Sequence, residues 1–280
     1  MSIQRISTLI LISFGGSLLL APSAQAADFK TNVSYSNYPQ NISQGDIWLQ
    51  SITQKDKQGK DQTFSNFSFV NRVNILENDQ KTQNTLGAAS TDRGDKASKP
   101  KGIEVEENPD AKGIAAYLGN NNLNNIIDTE DSGSFKMNLW FDTTIRQDAS
   151  GLDNLFFWER NKNSDLGIQA IDENGNLLGN FLKLTRGDGQ KDAGYQIDTT
   201  EIGAAQKVGS WGVSLKELGL NDEQASKGIK GIQVSANADY NGPDFKVIAR
   251  SVPEPSTTAA LALVAMSALK VLNKKRLAKV

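Results

Sequence analysis

The chain has 280 residues, with 32 acidic and 30 basic side chains, and contains neither cysteine nor histidine. Without cysteine there is no disulfide framework, thiol nucleophile or thiolate metal site. Without histidine there is no Ser-His-Asp or Cys-His triad and no imidazole-ligated metal, which leaves carboxylate acid–base chemistry, lysine or tyrosine chemistry, and hard cations held by oxygen.

The N-terminus reads as an export signal. Arg5 supplies a positive charge, Leu9 to Leu20 form an apolar run broken by Gly15 and Gly16, and Ala24-Gln25-Ala26 offers the small residues that a signal peptidase reads. Residues 1–26 are therefore expected to be a signal peptide cleaved before Ala27. The run falls short of the roughly 20 residues of a membrane-spanning helix.

From 27 to 250 the chain reads as β-rich. Alternating or short apolar runs bounded by Gly, Asn and Asp predict strands at Phe29–Tyr35, Asp46–Ile52, Phe64–Leu76, Ser134–Phe141, Leu155–Glu159 and Leu166–Ile171. Further ones are expected at Leu177–Leu184, Gly194–Ile197, Lys207–Val213, Ile229–Ala236 and Phe245–Arg250. Between two of them, Asp172-Glu173-Asn174-Gly175-Asn176 is a hairpin turn, with Asn-Gly offering positive φ. Residues 78–100 are polar and charged and read as a long mobile loop. "NNNLNNIIDT" (120–129) predicts a short helix with Leu123, Ile126 and Ile127 on one face, and "SLKELGL" (214–220) another, capped by Ser214 and Glu217. The expected class is mainly β: one β-sandwich of jelly-roll type with minor short helices.

Two groups of residues invite a chemical reading. In "FFWERNKNSD", Trp158 could stack on a sugar face while Glu159, Arg160, Asn163 and Asp165 bond its hydroxyls, or the aromatics could simply enter the core and the charges begin a solvated turn. Glu159 and Asp165 also allow a histidine-free glycosidase pair, if held roughly 5–10 Å apart. Turns at 128–134 (with Asp128 and Asp131), 172–176 (with Asp172 and Asn174) and 240–244 ("YNGPD") offer the hard oxygens that calcium takes, although Asp and Asn are also what turns are made of. No other cofactor is expected, and no catalytic residue is assigned.

The C-terminus has its own three parts. Val252-Pro253-Glu254-Pro255-Ser256 breaks any helix entering from the body, residues 257–272 are mostly apolar, and Lys274, Lys275 and Arg276 follow. The apolar run is short and contains Lys270, which can snorkel toward head groups; the flanking basic cluster marks the cytoplasmic end of a span. Without Arg5, Glu254, Lys270, Lys274, Lys275, Arg276 and Lys279, the remaining body carries seven more acidic than basic side chains. Such a body is poorly suited to nucleic acid.

Taken in order, these three parts resemble the PEP-CTERM sorting signal of exported bacterial proteins. The resemblance implies a membrane-tethered precursor that an exosortase cuts near Pro-Glu-Pro, followed by release or attachment at the cell surface or in the extracellular matrix. "GDIWLQSI" (45–52), "LFFWERNKNSDLGIQAID" (155–172) and "GIKGIQVSANADYNGPDFKVIARSVPEPS" (228–256) resemble a family of exosortase-dependent surface proteins. The leading expectation is a structural or adhesive surface protein without catalysis, processed by signal peptidase and exosortase. The alternatives are a carbohydrate-binding module for extracellular polysaccharide, with or without calcium, and a histidine-free glycan hydrolase.

Overall fold

The computed structural model describes residues 29–79 and 88–252. The signal peptide, residues 80–87, Pro253 to Ser256 of the sorting motif, the apolar run and Lys274-Lys275-Arg276 lie outside the described residues.

In chain order the strands begin with β1 (Phe29–Ser36), β2 (Asp46–Lys55), β3 (Asp61–Phe64), β4 (Phe67–Ser68), β5 (Val70–Asp79) and β6 (Ala89–Arg93). Helix α1 (Ala111–Leu118) precedes β7 (Asn125–Thr129), β8 (Ser134–Ile145), β9 (Leu155–Arg160) and β10 (Leu166–Ile171). Next come β11 (Leu177–Leu184), β12 (Lys191–Ile197) and β13 (Gln206–Val213), then α2 (Asp222–Lys227), β14 (Ile229–Ala236) and β15 (Phe245–Arg250). With 49% strand and 9% helix the protein is mainly β, and its strands form three antiparallel sheets. The small sheet runs β1-β2-β3, the five-stranded sheet β11-β10-β14-β8-β5, and the seven-stranded sheet β12-β13-β9-β15-β7-β6 with β4 also paired to β15.

β9 shows why three sheets are needed. All six residues of "LFFWER" are buried, and successive strand side chains point to opposite faces. Leu155 and Phe157 join one core with Met137 and Leu139 of β8, Ile168 of β10 and Ile232 of β14. Phe156 and Trp158 join a second core with Phe29, Ile47, Leu49 and Ile52 of the small sheet. Phe29 meets Phe156 edge-on at 4.9 Å between ring centres. A strand apolar at consecutive positions must be covered on both sides, since each large side chain left in water forfeits about 1.5–3 kcal/mol. The expected sandwich corresponds to the seven- and five-stranded sheets, and the small sheet adds a further layer on the opposite face. Ile114, Tyr117 and Leu118 of α1 complete the first core.

Three expectations are corrected. Residues 88–100 are not a mobile loop: β6 pairs with β7, and Ser98 donates from N and Oγ to Asp46 at 2.6 and 2.9 Å. Arg93 Nη1 donates to the carbonyls of Gly94, Asp95 and Ala97 and so fastens the turn after β6. Residues 120–129 form a turn and β7 rather than a helix. Their asparagines bridge backbone groups instead, Ile47 N donating to Asn122 Oδ1 at 3.0 Å and Asn124 Nδ2 to the Ser43 and Gly45 carbonyls at 2.9 and 2.6 Å. In 214–220 Ser214 and Glu217 exchange the expected capping bonds, yet only turns follow. The short helix next along the chain is α2, where Asn221 and Gln224 form a capping box.

Candidate functional site

On the seven-stranded sheet, the face bearing Phe156 and Trp158 should continue apolar at Arg160, two residues on. It carries a guanidinium instead, and the fold gathers acids around it. Arg160 Nε and Nη2 donate to Asp244 Oδ2 at 3.1 and 2.9 Å, Nη2 to Asp128 Oδ2 at 2.8 Å, and Nη1 to Thr199 Oγ1 at 2.7 Å. Asp92 Oδ2 stands 3.5 Å from Nη1. Asp92 comes from β6, Asp128 from β7, Asp244 from the residue before β15 and Thr199 from the segment after β12, so one side chain ties four elements together. Thr129 N donates to the other oxygen of Asp244 at 3.0 Å.

The cluster is short of positive charge. Asp92, Asp128 and Glu201 each bring a carboxylate oxygen within 4.8 Å of the others, beside the already paired Asp244. Burial opposes ionisation of Asp128, but the hydrogen-bonded Asp244 carboxyl and the Arg160 charge hold it below its usual range. Burial and then the Asp128 charge push Asp92 up to about 7 and Glu201 up to about 8. The same two causes push Asp244 well above its usual range. Packed carboxyls of this kind either share protons or enclose a cation. Among the described residues Asp92, Asp128 and Glu201 are the set whose oxygens stand close enough to hold a metal ion.

The residues named from sequence fall into separate places. Trp158 is wholly buried and donates Nε1–H to Thr31 Oγ1 at 3.0 Å. Glu159 points to the opposite face, also wholly buried, where its Oε2 accepts from Gln190 Nε2 at 2.8 Å. Burial raises its pKa to about 8 despite that bond. Asp165 is tied to Lys183 Nζ at 2.7 Å and accepts from Arg186 N at 2.7 Å. Those partners outweigh burial and hold its carboxyl down. Asn163 lies half-buried in the turn after β9, where its Oδ1 accepts from Ser164 Oγ at 2.9 Å. The five do not form one glycan-facing surface. Of the calcium candidates, Asp128 and the Asp244 of the 240–244 turn enter the acidic cluster. Asp131 is exposed in the β7–β8 turn. Asp172 accepts from Asn174 N and Asn176 N at 2.8 and 2.9 Å to close the β10–β11 hairpin, while Asn174 is exposed there.

Sequence reasoning missed two further buried cations. Lys246 of β15 is wholly buried, and its Nζ donates to the Tyr117 carbonyl and, at 3.3 Å, to Asn120 Oδ1 beyond the C-terminal end of α1. Burial lowers its pKa well below the usual lysine value. Arg250 grips Asp148 through two bonds, of 2.7 and 3.2 Å, and the Asp153 carbonyl at 3.0 Å. The available signal was a charge at a strand position flanked by apolar neighbours, as in "FKVIAR".

Fold and site together define a layered antiparallel β protein, free of cysteine, whose buried charges tie its strands. No protein-family model matches the chain, and no curated protein or solved structure matches it either. Among the described residues no helix is long and apolar enough to cross a membrane.

Proposed function

We propose that the protein is an exported, exosortase-processed component of the cell surface or extracellular matrix, with a structural or adhesive rather than catalytic role. Within this reading residues 1–26 direct export, the segment from Val252 onward holds the precursor in the membrane, and cleavage near Pro253-Glu254-Pro255 replaces that segment by attachment of the body, through its new C-terminus, at the surface or in the matrix.

The observation that carries the reading is where the tail joins. Val252 comes two residues after β15, an interior strand of the seven-stranded sheet. β15 is registered against β9 from Phe245↔Glu159 to Ala249↔Leu155 and pairs with β4 and β7 along its other edge. Its last residue is Arg250, fixed by Asp148 and the Asp153 carbonyl. Force transmitted through a C-terminal anchor would load β15 in shear along paired neighbours, so many backbone hydrogen bonds must break together. An edge strand holds on one side only. The buried charges support the same role, since Arg160, Lys246 and Arg250 each spend their donors within the body.

The test is localisation of the full-length protein against a variant with Pro253, Glu254 and Pro255 replaced by Ala. The wild type should reach the surface or medium, and the variant should accumulate as a larger membrane-bound precursor. Identical size and distribution of the two would remove the basis for the proposal.

A further inference from the structure

Glu159 continues the face of β9 that places Leu155 and Phe157 in the larger core, two positions beyond Phe157. It is wholly buried, and Gln190, the residue leading into β12, is 4% exposed. Gln190 Nε2 donates to Glu159 Oε2 at 2.8 Å. The second oxygen of each group, Glu159 Oε1 and Gln190 Oε1, is buried and has no hydrogen-bond partner. The backbone brings the two groups side by side. Gln190 Oε1 stands 2.7 Å from where a Cβ on Gly209 would lie, and Gly209 of β13 is registered with Glu159. Side chains at such a pair leave their strands about 5 Å apart, so the Gln190 amide fills the place that Gly209 leaves open beside the carboxyl. The charged neighbours do not satisfy either oxygen. Arg160 projects from the other face of β9 and spends its donors on the acidic cluster and Thr199, Lys162 lays its methylene stem on Gly209, and Lys191 and Asp192 are exposed. Phe245, registered with Glu159 from β15, carries no charge.

We propose that Glu159 is a neutral carboxylic acid in the folded protein, its Oε1–H donating to Gln190 Oε1 while Gln190 Nε2 donates to its Oε2, and that this closed acid–amide pair is a proton-operated latch fastening the entry of β12 to β9. Two buried acceptors left without a donor are costly, and one proton placed on Glu159 satisfies both. Burial keeps that proton in place, raising the group to about 8 against the pull of the Gln190 bond. The latch is therefore closed below that value. As pH rises through it the proton leaves, the Oε1 bond is lost, and a buried anion stands against the Gln190 oxygen. The part released is an edge strand: β12 ends the seven-stranded sheet and is registered with β13 at Lys191, Asp192, Gln196 and Ile197, with an irregularity between. The latch lies wholly within the body and does not depend on how the tail is processed.

The test compares the exported protein with Glu159→Gln, whose new amide can donate to Gln190 Oε1 and accept from Gln190 Nε2 at every pH. Infrared spectra at pH 7 should show one more protonated carboxyl in the wild type than in the variant, and that band should titrate away with a midpoint near 8. Backbone hydrogen exchange over residues 187–197, taken as the ratio of wild type to variant so that the intrinsic effect of pH cancels, should be near one at pH 6. At pH 9 it should rise to roughly three- to tenfold. Gln190→Ala should exchange faster than the wild type at pH 6, and the comparison with Glu159→Gln stands even where that variant does not fold. No additional protonated carboxyl at pH 7, as when a water molecule serves both oxygens of an ionised Glu159, would overturn the proposal. An exchange ratio that is the same at pH 6 and pH 9 would overturn it equally.

Discussion

Glu159→Gln gives the most direct test of how the buried charges behave. Glu159 is wholly buried on the face of β9 opposite Trp158, and its Oε1 has no partner; neither has Gln190 Oε1. Burial raises its pKa from 4.5 to about 8. Between those values the folded chain holds a proton that the unfolded chain has released, so stability falls as pH rises, by about 1.4 kcal/mol per unit. Across the whole window the loss reaches at most about 5 kcal/mol, and less where local relaxation admits water. Glutamine keeps the size, cannot ionise, and supplies a donor where the wild type has two unmatched oxygens. Urea melts followed by tryptophan fluorescence should show the variant equal to the wild type, within about 1 kcal/mol, at pH 5. It should become progressively more stable than the wild type toward pH 9. Superimposable stability profiles for the two proteins over that range would show that Glu159 does not titrate on unfolding in this window, and would refute the argument.

Other outcomes follow from the same charges. Because Asp92 and Asp153 are raised to about 7, chiefly by burial, the wild type itself should be more stable at pH 5 than at pH 8; a flat profile contradicts this. Arg160→Met strands Asp128 and Asp244 without their cation and should cost about 3–5 kcal/mol at pH 7. The cost should shrink at pH 5, where the clustered carboxyls can protonate, and an equal cost at both values would contradict the assignment. Lys246→Met should be neutral or stabilising by about 1 kcal/mol in the same melts, because burial of that ammonium is opposed by only a carbonyl and an amide oxygen. Arg250→Ala should lower the force needed to unfold the body when it is pulled through residue 252 in single-molecule experiments, and an unchanged force would detach Arg250 from the shear argument.

Strands that carry their own pattern were legible in the sequence. β10, β11, β14 and β15 have the expected boundaries, because each is an apolar run closed by Gly, Asn or Asp. β6, "ASTDR", was hidden because it has almost no apolar content; its order comes from pairing with β7 and from side-chain bonds. β7 was misread because two adjacent isoleucines after a run of asparagines match a helix face as well as a strand buried on both sides. α1 was hidden by its shortness and by Gly113 within it, although Asp110 caps it through Gly113 N. The candidate site was legible only in fragments. Arg160 stands 68, 32 and 84 positions from Asp92, Asp128 and Asp244, and no local spacing encodes contacts of that range. A charge within an otherwise apolar strand announces that a partner exists without saying which it is.

Mass spectrometry of the mature protein recovered from the cell surface or medium, with both terminal peptides identified, tests the proposed export and processing. Export followed by exosortase cleavage would give a polypeptide that begins at Ala27 and ends within or just before Pro253-Glu254-Pro255. Recovery of one unprocessed chain from Met1 to Val280, confined to the cytosol, would contradict it.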